Sequence, residues 1–250
     1  MTLLMDIGNT RAKWAILRAG RLSHGGAILH RGVPSADWLH GLESADGEAS
    51  RIVVSNVAGE ATARAVAEWA RKRYGVDTEF VRATRAAGGI VNAYERPEAL
   101  GADRWMGMIG AWQRVHGPLV CIAAGTAMTV DAVDGAGQHL GGLIVPGRDM
   151  MADALVRRTG DIARAVALAP PVEDGMFGRN TAAAVELGSV HALAALAERA
   201  VRWVETRLGG MPQVFLGGGD ASRLEPLIGV PVELTPDLVL EGLAVIAEAG

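Results

Sequence analysis

The sequence predicts an α/β protein built from two similar domains, residues 1–116 and 117–250, with a boundary near 116–118. Three observations predict it. Short β-type apolar runs alternate with helical stripes along the chain. The pattern strand, Asp6-Ile7-Gly8-Asn9-Thr10, strand is answered in the second half by strand, Ala123-Ala124-Gly125-Thr126, strand, a weak internal repeat. The 250 residues, half apolar and 21% charged, are enough for a real core in one large domain or two moderate ones. No long linker separates the halves, so a ligand is expected in the cleft between them.

The elements follow in order. TLLMD (2–6) and RAKWAILR (11–18) read as strands joined by a tight turn. In the second, Ala12, Trp14 and Ile16 are expected on one face and Lys13 on the other. Residues 21–29 fit a third strand, and RIVVSNV (51–57) a buried β-branched strand. Residues 61–74 read as a helix with Ala63, Val66, Ala67, Ala70 and Tyr74 on its stripe and an Arg64–Glu68 pair outside. DTEFVRA (77–83) returns as strand, a loop with Gly88, Gly89 and Pro97 follows, and a helix runs from about Leu100 to Val115.

After Gly117-Pro118 three more strands are expected at 119–124, 126–133 and 139–146, then mixed helix and loop over 148–165. The longest helical run is 181–208, stopped by Gly209. QVFLGGGD (213–220) reads as strand and glycine turn before a short helix, and 237–249 as a closing helix.

Net charge is −4 and the pI about 5.9, without the basic footprint of a nucleic-acid binder. Aromatics at 4% also argue against a base-stacking platform. No run of about 20 apolar residues suggests a membrane span, and the first residues lack the pattern of a secretory signal. The lone cysteine, Cys121, lies in an apolar run and reads as a buried small hydrophobe, and the compartment as reducing, hence cytoplasmic.

The turns carry the chemistry. Glycine lets backbone N–H groups approach a ligand, and successive N–H groups form an anion nest. Around Gly8 stand the Thr10 hydroxyl, the Lys13 amine and the Asp6 carboxylate. A carboxylate beside a phosphate-binding turn makes sense with a cation between them, and Mg²⁺ is such a cation. The competing reading is that D-x-G-N-T is only a good turn. Glycine is 33 of 250 residues, about double the usual share, and much of the excess sits at strand ends, which favours the phosphate reading. A P-loop, a Rossmann fingerprint, histidines at zinc-ligand spacing and a G-x-S-x-G elbow are all missing. The second constellation is NAYERPEALGADRW, 92–105. Asp103 and Arg104 at a helix start are either a cap with a surface charge, or a general base beside a group that stabilises a transferring phosphoryl or binds an anionic substrate. Tyr94 either packs on the fold or contacts the substrate. Trp105 and Trp112 read as core, and Asp131 and Asp134 as surface acids.

These residues match a specific pattern. The chain resembles the type III pantothenate kinases, including proteins described as Bvg accessory factors. The match runs through D-x-G-N-T at 6–10, N-x-Y-x-x-P-x-x-L-G-x-D-R-W at 92–105, G-T-A-x-T-x-D at 125–131, G-G-x-I-x-P-G at 141–147, GRNT at 178–181, G-G-D-A at 218–221 and P-D-L-V-L-E-G-L at 236–243. The 92–105 motif is the specific one; the glycine turns are shared with the wider actin-like, sugar-kinase and acetate-kinase superfamily.

The resemblance implies two ribonuclease-H-like domains with a central nucleotide cleft, and ATP-dependent phosphorylation of pantothenate at its primary hydroxyl, the first step of coenzyme A synthesis. It places the phosphate-binding segment on Asp6, Ile7, Gly8, Asn9, Thr10, Arg11, Ala12 and Lys13, with Asp6 also the residue toward Mg²⁺, and an ATP contact on Thr126. It places substrate residues on Tyr94, Gly101, Ala102, Asp103, Arg104 and Thr181, with Asp103 the base. It implies a homodimer whose pantothenate site borrows from the partner subunit; the helix at 181–208 is the candidate interface and Thr181 the contact in trans. Two positions depart from the family. Ala123 stands where an aspartate usually binds a monovalent cation such as K⁺ or NH₄⁺, so either that dependence is lost or another group such as Asp131 supplies the charge. Gly217 stands where threonine is frequent. The alternatives are a regulatory protein that keeps the ATP cleft, and an actin-like kinase with another acceptor.

Overall fold

The structure is a computed structural model that describes residues 1–44, 49–160, 162 and 175–249. Its residues group into two compact units, one of Met1–His116, Gly137–His139 and Asp237–Gly250, the other of Gly117–Ala136 and Leu140–Pro236.

In the first unit, β1 (Thr2–Ile7), β2 (Arg11–Arg18) and β3 (Arg21–Leu29) form an antiparallel meander. β4 (Arg51–Asn56) pairs parallel to β1, and β5 (Thr78–Phe80) parallel to β4, giving the order β3-β2-β1-β4-β5. The central β1 has no polar alternation because both of its faces are covered: Leu3, Leu4, Met5 and Ile7 are all buried. Helices α1 (Ser35–His40) and α2 (Glu60–Tyr74) share a core with Leu3, Met5 and Ile7 through Trp38, Leu39, Val66 and Ala70. A hairpin of β6 (Ala86–Ala87) and β7 (Ile90–Val91) then leads to α3 (Ala102–Val115).

In the second unit, β8 (Leu119–Ala124) and β9 (Ala127–Val133) are antiparallel, and β10 (His139–Pro146) flanks them. α4 (Arg148–Arg158) and α5 (Thr181–Leu208) follow. β11 (Gln213–Gly217) pairs parallel to β8, α6 (Ala221–Leu224) follows, and β12 (Glu233–Leu234) pairs parallel to β11. The order β10-β9-β8-β11-β12 repeats that of the first sheet strand for strand. α5 begins at Asn180, whose side chain accepts the Ala183 N–H at 2.9 Å, and ends at Gly209, in the left-handed region at φ 74°. Its stripe Val190, Leu193, Ala197, Val201 and Val204 packs with Val120, Ile122, Val214 and Leu216.

The last helix, α7 (Leu238–Ala249), returns to the first unit and crosses α3. The helix backbones touch through two glycines. A Cβ on Gly110 would run into the Leu238 carbonyl, and one on Gly242 into the Met106 carbonyl. Arg114 and Glu241 form a bidentate pair across the same crossing. This contact sets the axis of α3, whose first turn carries Asp103 and Arg104. Among the described residues no helix is long and apolar enough to cross a membrane.

Several expectations need correction. Arg64 pairs with Glu60, at 3.4 Å, rather than with Glu68: acid first and base four residues later is the better order along a helix. The strand expected over 77–83 covers only Thr78–Phe80, since it is an edge strand paired on one side. On β2 the Lys13 face also carries buried Ala15 and Leu17, because helices cover both sides of this sheet. Asp131 is no surface acid: it is 2% exposed, on β9 opposite Cys121. Of the region 148–165, the part beyond 160 lies outside the described residues except for Ile162.

Candidate active site

The hairpin between β1 and β2 places Asp6 opposite Lys13, the β4 register places Ser55 beside Asp6, and the turn closes with the Gly8 N–H donating to the Arg11 carbonyl at 3.0 Å. The side chains of Ile7 and Ala12 are fully buried in the core, so only their main chain can face a ligand; Asn9 and Arg11 are exposed. Lys13 Nζ lies 4.0 Å from Asp237 Oδ1. Asp6 Oδ1 and Ser55 Oγ are buried polar atoms with no hydrogen-bond partner among the described residues. Burial, and then the like charge of Asp103, raises the Asp6 pKa from 3.8 to about 7, against the opposing charge of Lys13. A carboxylate in that condition is short of positive charge, which is the deficit a divalent cation would fill.

Asp103 and Arg104 stand in the first turn of α3, capped by Gly101. A Cβ on Gly101 would come within 2.7 Å of Asp103 Oδ1, so glycine here makes room for the carboxylate. Asp103 Oδ1 accepts the Arg104 N–H at 2.8 Å, and the positive helix end favours its charge. Arg104 is not a surface charge: it is 9% exposed, donates to the Tyr94 hydroxyl at 3.1 Å and lies 5.8 Å from the centre of its ring. Tyr94 also stacks on buried His139, with centroids 6.0 Å apart and planes 15° from parallel. Asp6, Asp103 and Lys13 thus interact within one unit, and Tyr94, Gly101, Ala102 and Arg104 belong to the same unit.

Thr126 and Thr181 belong to the second unit. Thr126 follows Gly125 in the β8–β9 turn, and its carbonyl accepts the Gly147 N–H at 2.9 Å. The Asp220 N–H donates to the Ala124 carbonyl at 3.0 Å, so the turns at 125–126, 147 and 217–220 converge. The crossings are too close for side chains: a Cβ on Gly147 or Gly218 would overlap backbone carbonyls, and one on Gly217 would meet the Thr235 carbonyl at 2.8 Å. The last contact accounts for glycine at 217. Arg148 ties this region together, reaching Glu186 at 2.9 Å, Asp149 at 2.8 Å and Asp220 at 3.4 Å. Thr181 is exposed at the first position of α5. Ala123 is exposed and registers with Thr129, whereas Asp131 registers with Cys121, two residues along the strand. Cys121 is half-buried rather than fully buried, and desolvation and the Asp131 carboxylate push its thiol up.

Arg85 has no signal in the sequence. Its guanidinium donates to the carbonyls of Asn92 at 3.1 Å, Tyr94 at 2.9 Å and Glu95 at 2.9 Å. Asn92, 2% exposed, holds the same loop from inside, donating to the Thr84 and Pro97 carbonyls and accepting the Tyr94 N–H at 2.9 Å. Asn92 was legible as part of the long motif. Arg85 was not, since an arginine in a loop reads as a solvated charge.

A sequence profile of the type III pantothenate kinase family matches residues 2–203. A relative from Nitrosococcus oceani named type III pantothenate kinase is 36% identical over 253 residues, covering 99% of this chain and 94% of that one. Among solved structures, a protein from Sinorhizobium meliloti described as a 2-dehydro-3-deoxygalactonokinase is similar at TM-score 0.63 and 16% identity, covering 100% of this chain and 99% of that one. MreB 5 of Spiroplasma citri is similar at TM-score 0.50 and 10% identity, covering 99% and 96%. The fold is therefore shared with these two proteins, and the chain belongs to the type III pantothenate kinase family.

Proposed function

We propose that this chain transfers the γ-phosphoryl group of ATP to the primary hydroxyl of pantothenate, the first step of coenzyme A synthesis. The observation that carries the reading is the meeting of two distant motifs: the carboxylates of Asp6 and Asp103 interact in one unit, one beside the glycine turn and one at a helix start with buried Arg104. In this reading Asp103 takes the hydroxyl proton of pantothenate as its oxygen attacks the γ-phosphorus in line, while ADP leaves. Arg104 holds the acidic substrate or the transferring phosphoryl group, and its contact with Tyr94 fixes the guanidinium. The main chain from Asp6 to Lys13 cradles the phosphates, Lys13 adds charge, and Thr126 contacts ATP.

The residues present suit Mg²⁺. Asp6 offers a buried oxygen without a partner, and among the described residues no group of three or more His, Cys, Asp or Glu forms a protein cage. Mg²⁺ prefers one or two carboxylates with waters and phosphate oxygens. Asp6 is the residue that would hold it, and the ion would supply charge neutralisation at the phosphates. For the monovalent cation, the exposed Ala123 methyl and Thr129 opposite it offer no charge, so this chain works without that ligand. We further propose a cytoplasmic homodimer, with α5 in the interface and Thr181 reaching the partner's substrate. Leu143, Ile144, Met150 and Phe177, all exposed, give the second unit apolar surface for such a contact.

The test is a coupled phosphorylation assay with pantothenate, ATP and Mg²⁺. Asp103→Asn is expected to lower kcat by a factor of about 10²–10⁴ while nucleotide binding persists. Folded protein that binds nucleotide yet shows no turnover of pantothenate would overturn the reading and favour a regulatory role.

A further inference from the structure

The mechanism above leaves His30 unused, yet it is 7% exposed and directly touches the turn that is read as the phosphate cradle. Its Nε2 lies 2.8 Å from the Gly8 carbonyl oxygen. A carbonyl can only accept, so Nε2 carries the proton and donates. The main-chain N–H groups of His30 and Arg31 meanwhile reach the Thr10 carbonyl at 2.9 and 3.4 Å. The carbonyls on both sides of Asn9 are thus claimed by one short strap that follows β3. The imidazole is itself held, its ring centre 5.0 Å from that of Trp38, which is 2% exposed in the core under the sheet.

This matters because a carbonyl oxygen facing a triphosphate repels it, while the N–H groups of the same peptides attract it. Peptide planes in a glycine turn rotate easily. We infer that His30 is a positioning residue for nucleotide binding: its Nε2–H fixes the Gly8 carbonyl away from the phosphates and so presents the turn in its anion-binding orientation. The inference rests on the reading of residues 6–13 as the phosphate segment. It assigns His30 no contact with substrate and no proton transfer.

Two variants separate the donor from the packing. His30→Phe keeps the ring against Trp38 and removes the donor. His30→Gln places an amide N–H near the position of Nε2. His30→Asn is polar but too short to reach, and stands in for the Phe variant if that one does not fold. Titration with Mg²⁺ and the ATP analogue AMPPNP gives the affinity, and steady-state rates give both KM values. His30→Phe is expected to weaken AMPPNP binding about tenfold, the loss of one well-made hydrogen bond. The KM for pantothenate stays unchanged, and His30→Gln recovers most of the loss. Lys13→Met is run alongside. If Lys13→Met weakens AMPPNP and His30→Phe does not, the role of His30 is refuted and the phosphate segment stands. If neither weakens it, the reading of the segment falls and the inference with it. Equal losses in His30→Phe and His30→Gln, or a matching rise in the pantothenate KM, would make His30 a packing residue only.

Discussion

After burial, the largest influence raising the pKa of Asp6 is the carboxylate of Asp103. Neither residue is near the other in sequence, and each belongs to a different motif. Their repulsion marks the place where a cation and a phosphoryl group are expected to sit.

The first prediction follows from that value. The folded pKa of about 7 lies above the ordinary 3.8, so the folded state holds this proton more tightly than the unfolded state does. The stabilising contribution is present below pH 3.8 and is lost as the pH rises through 7. Asp6→Asn carries no such charge. It is expected to match the wild type in stability near pH 4 and to exceed it at pH 8, by up to about 4 kcal/mol, while being inactive. Mg²⁺ with AMPPNP should close the gap at pH 8 by pulling the Asp6 pKa down. Thermal melts across pH check this; a gap that does not change with pH would contradict it.

Arg85→Met removes three hydrogen bonds to the carbonyls of the loop that carries Tyr94. The residue is exposed, so the fold survives. The KM for pantothenate is expected to rise about tenfold while the affinity for AMPPNP holds. A rise confined to the ATP side would show that the loop serves the nucleotide instead.

Gly242→Ala forces a methyl group into the Met106 carbonyl at the α3–α7 crossing. Overpacking of this kind costs about 1–3 kcal/mol, and backbone contact puts it at the upper end. Urea denaturation should show a lower midpoint at an unchanged slope. Because the first turn of α3 carries Asp103, kcat should fall as well, even in protein that remains folded.

Turnover is expected to be the same in K⁺, NH₄⁺ and Na⁺, since no carboxylate stands at 123. The side chain there is exposed, so Ala123→Asp can be accommodated. That variant should acquire stimulation by K⁺ or NH₄⁺ over Na⁺. Strong K⁺ dependence of the unaltered protein would point to another ligand.

Much of this was readable in the residues. Gly209 after the long apolar stripe predicts the end of α5, the β-branched run at 51–57 predicts a buried strand, and the apolar run at 119–124 predicts another strand. These are local signals of period and cap. The proposed site residues come from D-x-G-N-T and the 92–105 motif, because the chemistry proposed for them needs unusual residues in a fixed order. His30 and Arg85 were not readable, since each acts on main-chain carbonyls elsewhere, and a donor to a carbonyl leaves no pattern in sequence. Arg104 shows the same limit. Its type and place were legible, but its burial against Tyr94 comes from tertiary packing. Asp131 read as exposed because a strand-end acid usually is, yet it is 2% exposed on β9.

The last helix has a consequence for how the protein is made. α7 closes the face of the first unit that α3 lines, but the whole second unit is encoded between them. On the ribosome, Met106, Gly107 and Gly110, the residues of α3 that meet α7, wait with their covering helix still unsynthesised. The first half therefore emerges early and matures late, and a nascent chain stalled anywhere in the second unit exposes apolar surface that chaperones can bind. A ribosome-bound chain arrested before residue 237 should be protease-sensitive in its first half, and release of the completed helix should protect it.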